Sequence, residues 1–140
     1  MIKKTLGLAI FVGLLALALP AMAAKAPSAI QIACVASAVN AREVALDSAI
    51  STYTQAVNST YTTRAAALQQ AYSQTAGQGV IKTAVKTAWT NFTSALKSAR
   101  KGWQTSRKSS WATFKSAVKT CKAPSVATDA SNANSEATGN

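Results

Sequence analysis

VASAVNAREVALDSAISTYTQAVNSTYTTRAAALQQAY, residues 35–72, carries large apolar side chains at a fixed step of eleven. Val35, Leu46, Val57 and Leu68 form one column, and Val39, Ile50, Tyr61 and Tyr72 form a second, four residues on. Neither Pro nor Gly interrupts the stretch. Steps of four and seven return a side chain to the same side of a helix, whereas a strand would need a step of two. Eleven residues make three turns at about 3.67 residues per turn, which favours straight or slightly right-handed coiling over the left-handed heptad kind.

The same period resumes after Thr75-Ala76-Gly77-Gln78-Gly79. Ile81, Phe92, Trp103 and Phe114 form one column of the second arm, and Val85, Leu96, Arg107 and Val118 another. The pattern predicts an all-α fold, a long antiparallel two-helix hairpin with helices over about 29–74 and 80–122 and a turn at 75–79. Each arm is on the order of 65 Å long at about 1.5 Å per residue. Pro27-Ser28 reads as a helix start. Gly77 and Gly79 offer positions where positive φ costs little, which suits a chain reversal. Gly102 is a weak point inside the second arm, about 1 kcal/mol worse than Ala. Pro124 closes that arm, and residues 123–140, rich in Ser, Ala, Asn and Thr, read as a disordered tail with little to bury.

A fold-back centred near the glycines pairs Val35 with Val118, Val39 with Phe114, Ile50 with Trp103, Val57 with Leu96, Tyr61 with Phe92, Leu68 with Val85 and Tyr72 with Ile81. Leu46 meets Arg107, a poor match. The same register sets Arg42 against Trp111, Tyr53 against Arg100 and Arg64 against Trp89. Each of these layers holds one guanidinium and one ring, and cation–π contact is worth roughly 0.5–1 kcal/mol when exposed and more when desolvated. These are expected to be structural layers that fix the register, rather than a row awaiting a ligand. A neighbouring series pairs small residues, among them Ala38 with Ala117, Ala56 with Ala99 and Ala71 with Ala84. Cys34 and Cys121 fall in that series, where backbones approach closely enough for a disulfide.

The N-terminus reads as targeting. Lys3 and Lys4 precede an apolar run ending at Pro20, and Ala21-Met22-Ala23 has the A-x-A form of a cleavage site. Residues 1–23 are therefore expected to be a signal peptide. The expected location is exported and bacterial, in the periplasm, the envelope or outside the cell. No stable membrane span is expected after cleavage, because the run is short for one.

The chain of 140 residues carries 15 Lys and Arg against 4 Asp and Glu, a net charge of +11, and no His. The charge is one-sided. The first arm sets Arg42 and Arg64 against Glu43 and Asp47, while the second has Lys and Arg and no acid. Lys86, Lys97, Lys108 and Lys119 repeat at the eleven-residue step and are candidate anion-binding residues. No catalytic constellation, phosphate loop or metal-ligand set is legible, and a zinc site lacks ligands. The expectation is a protein that is not an enzyme, with no cofactor, no metal and no small-molecule substrate. Its first expected role is structural or interactive in the envelope or exterior. The alternatives are a binder of anionic polymer, nucleic acid or cell-wall polymer, through the basic second helix, and a membrane-surface-active amphipathic protein. Candidate partners are an anionic polymer, an envelope protein and a second copy of the chain in a homodimer.

Overall fold

In the computed structural model, which describes residues 26–73, 75, 77–125 and 128–138, α1 spans Ala29–Ser73 and α2 spans Gln78–Thr120. The two helices pack antiparallel along their length, and no strand occurs among the described residues. Residues 1–23, expected as a signal peptide, lie outside the described residues. Among the described residues α1 alone is long and apolar enough to cross a membrane, but in this fold it lies along α2.

The open end of the hairpin is tied in two ways. Ser28 and Gln31 form a reciprocal cap at the start of α1: Ser28 N–H donates to Gln31 Oε1 at 2.8 Å, and Gln31 N–H donates to Ser28 Oγ at 3.2 Å. The other end of the Gln31 amide, Nε2, donates across to the Lys122 carbonyl just past α2. Cys34 and Cys121 are joined by a disulfide with their Cα atoms 5.6 Å apart, as the small-residue series predicts.

The turn differs from expectation. Gly77 caps α2 with φ −59° and ψ 157°, and its carbonyl accepts from Val80 N–H at 3.0 Å. Neither Gly77 nor Gly79 adopts the left-handed region: Gly77 is an extended cap, and Gly79 already lies in the first turn of α2. Among the described residues the left-handed conformation falls to Lys122, φ 51°, immediately after α2. There Cys121 N–H donates to Val118 O and Lys122 N–H to Lys119 O, so the helix tightens before it stops.

Burial is greatest at the base, where Val35, Ala38, Trp111, Phe114, Val118 and Cys121 form one cluster. Phe114 is its most enclosed side chain. Nearer the turn, Ala71, Ala88 and Phe92 are buried. Between these regions small residues such as Ala45, Ala49, Ala99 and Ser106 leave an open groove of about 690 Å³ along one side of the helix pair. Two helices have little else to enclose, and a cross-link supplies what a thin core lacks.

The tail beyond Pro124 adds two short elements among its described residues. Its described part holds a 3-10 segment, Ala130–Asn134, and one turn of helix, α3, Ser135–Thr138. Ala123, Ala130 and Ala133 rest against the basal cluster.

Candidate functional site

The eleven-residue step places Trp111 and Phe114 three residues apart on one side of α2, and Trp89 and Phe92 likewise two blocks nearer the turn. Side chains at i and i+3 on a helix are neighbours. Each pair meets at right angles, with ring centroids 5.7 Å apart for Trp111–Phe114 and 5.6 Å for Trp89–Phe92. Across the interface the same step presents Arg42 to one pair and Arg64 to the other.

In the basal layer the guanidinium carbon of Arg42 lies 4.3 Å from the Trp111 ring centre and 4.4 Å from that of Phe114. The residue is only 6 % exposed, so its charge has to be matched. Two carboxylates match it. Nε donates to Glu43 Oε1 at 2.9 Å, with Nη2 on the same oxygen, and Nη1 donates to Asp129 Oδ1 at 2.8 Å. Burial works against the charged form, but the hydrogen bonds to Asp129 and Glu43 outweigh it and raise the Arg42 pKa above its ordinary value. The indole N–H of Trp111 donates to Glu136 Oε2. Three of the chain's four acidic side chains therefore converge on this one layer.

In the distal layer Arg64 sits in a box of three rings, 4.2 Å from Phe92, 4.6 Å from Trp89 and 4.9 Å from Tyr61. Tyr61 and Phe92 meet edge to face at 5.0 Å. This layer has no carboxylate: among the described residues Arg64 makes no ion pair or hydrogen bond, and the Trp89 indole N–H has no acceptor. Where Glu43 follows Arg42, Ala65 follows Arg64. Trp111 is 8 % exposed and Trp89 46 %.

The other residues singled out from sequence fall as follows. Tyr53 lines the open groove and Arg100 is exposed, and the two are not brought into ring–guanidinium contact. Lys86, Lys97, Lys108 and Lys119 are all exposed along α2, and none joins a carboxylate in an ion pair among the described residues. Sequence reasoning missed the phenylalanines as second rings for each arginine, although their i+3 spacing from the tryptophans could have shown it. It also missed Asp129 and Glu136, which no local periodicity links to the hairpin. Among the described residues no three Cys, Asp or Glu side chains gather as a metal site.

Compared with known protein families, curated proteins and solved structures, the chain matches none.

Proposed function

We propose that the protein is a non-enzymatic interaction protein of the cell envelope or exterior, a cross-linked helical rod that acts by binding along its flanks. One observation carries the reading. Large apolar and cationic groups are exposed over the length of the rod. Ile50, Tyr61, Tyr72, Val80 and Trp89 are between 45 % and 69 % exposed, and every lysine of α2 is exposed beside them. Contiguous exposed apolar surface rimmed by polar groups marks association sites and ligand grooves. The carboxylates that could serve as acid or base are for the most part already bound to Arg42 and Trp111.

A second reading, binding of an anionic polymer, is supported by the lysine row. Lys86, Lys97, Lys108 and Lys119 recur about every 16 Å along α2 at about 1.5 Å per residue, with Lys82, Lys101 and Lys115 beside them. Such binding is independent of sequence and weakens steeply with salt.

Photo-crosslinkers placed singly at Tyr61 and at Lys97, in intact producing cells, separate the two. A discrete protein adduct from position 61 supports the first reading. A polymer adduct from position 97, lost in high salt and on changing Lys86 and Lys108 to Glu, supports the second. No adduct from either position overturns both.

A further inference from the structure

The two arginine–aromatic layers are internal copies of one arrangement, and only one of them is filled. Arg42, Trp111 and Phe114 correspond by the eleven-residue repeat to Arg64, Trp89 and Phe92, two blocks and roughly 33 Å further along the rod at about 1.5 Å per residue. At the base the chain's own tail supplies the missing chemistry. Asp129 takes the guanidinium, Glu136 takes the indole N–H, and Ala130 and Ala133 between them rest on the apolar surface. At the distal layer the guanidinium and indole are present, and both carboxylates are absent. The exposure of the two tryptophans records the difference, since Trp111 is covered and Trp89 is half open.

We propose that the Arg64–Trp89 layer binds an acidic, alanine-rich peptide segment of a partner protein, with one carboxylate on the Arg64 guanidinium and a second on the Trp89 indole N–H. The basal layer sets the pattern: two carboxylates seven positions apart, with small residues between them that allow close approach to Tyr61 and Trp89. The surrounding charge agrees, because Lys82 and Lys86 stand on α2 within a turn or two of Trp89. The occupant is a different protein rather than a second copy. Each chain has two layers and one tail, and that tail is engaged at the base. Exchange between copies would fill one layer by emptying another. This inference rests on the reading of the protein as an interaction protein, and it names the partner's chemistry.

The test uses the full chain, labelled with nitrogen-15, and a synthetic peptide of residues 124–138 as the probe, because that segment carries the required pattern. The three indole N–H resonances, of Trp89, Trp103 and Trp111, report on separate places. The expected result is a saturable shift of Trp89 with Trp111 unmoved. A peptide with Asn for Asp129 and Gln for Glu136 should leave Trp89 unmoved. Arg64→Gln should weaken binding about tenfold or more, as expected for losing a charge-assisted hydrogen bond. Ala65→Glu is the second variant. It leaves the ring box intact and gives Arg64 the carboxylate that Glu43 gives Arg42; because Arg42 holds Glu43 and the tail's Asp129 together, the peptide should still bind.

Four results would each overturn the proposal: no response of Trp89 at millimolar peptide, an equal response to a scrambled peptide of the same composition, movement of Trp111 alone, or loss of binding by Ala65→Glu. A Trp89 resonance that moves on dilution of the chain without peptide would assign the occupant to a second copy and overturn the choice of partner. A protein adduct from position 61 together with a silent Trp89 would reject this site while leaving the interaction reading intact.

Discussion

Removing the Cys34–Cys121 bridge should be among the most costly changes to this protein's stability. The bridge joins residues 87 apart in sequence, at the end of the hairpin opposite the turn. It therefore encloses nearly the whole of both helices in one covalent loop. In the chain-entropy account, closing a loop of that size is worth about 4.6 kcal/mol at 25 °C. That corresponds to a change of roughly 2,000-fold in the unfolding equilibrium, at about 1.4 kcal/mol per tenfold. It also approaches the entire stability of many small domains, roughly 5–15 kcal/mol. For a folded unit near 100 residues each kcal/mol moves the midpoint by about 4–8 °C, so a fall of roughly 20 °C or more is expected. The clean perturbation is Cys34→Ala with Cys121→Ala, since neither leaves a thiol and alanine suits a series of small facing residues. The assay is thermal unfolding followed by helical circular dichroism, run on the native chain, the reduced chain and the double variant. Amide exchange adds a spatial readout, because loss of the bridge should speed exchange first near Cys34 and Cys121 and last near Gly77. A midpoint that falls by less than about 5 °C would refute the reasoning, as would faster exchange at the turn than at the open end.

Three further outcomes follow from the same packing. Gly102→Ala should raise stability by about 1 kcal/mol in urea unfolding, because a Cβ there meets nothing within 4 Å and alanine is the better helix former; a loss of stability would contradict the open surroundings. Phe114→Ala should cost about 3–5 kcal/mol, since Phe114 is 1 % exposed and forms one wall of the Arg42 site; calorimetry showing less than 1 kcal/mol would place the base of the hairpin elsewhere. A double-mutant cycle on Arg64 and Trp89 should give a coupling of about 0.5–1 kcal/mol; additive effects would mean that the 4.6 Å contact contributes nothing.

Much of the hairpin could be read from particular residues. Val35 and Val118 are both buried, and Tyr61 meets Phe92 ring to ring, because a repeat that continues through a turn leaves few ways to pair its large residues. Arg42 over Trp111 and Arg64 over Trp89 come from the same register. The Tyr53–Arg100 layer is not formed, since Arg100 remains exposed in the part of the rod where small residues leave the groove open. The glycine turn was only half legible. Gly77 does cap the second helix, but as an extended residue, and among the described residues the left-handed conformation falls to Lys122.

The sequence by itself determined two helices, their direction, their register and the cysteine pair, because all of these follow from a period that repeats along the chain and is reflected about one turn. Only the tertiary structure decided what becomes of the arginine–aromatic layers. Asp129 and Glu136 lie in a segment without periodicity, and their return to Arg42 and Trp111 depends on charge and hydrogen bonding across a long sequence separation. A pattern within helices carries no record of such contacts. The tail closes the layer beside the disulfide and leaves Arg64 and Trp89 without a carboxylate, so two stretches that read alike in sequence become one filled site and one open one.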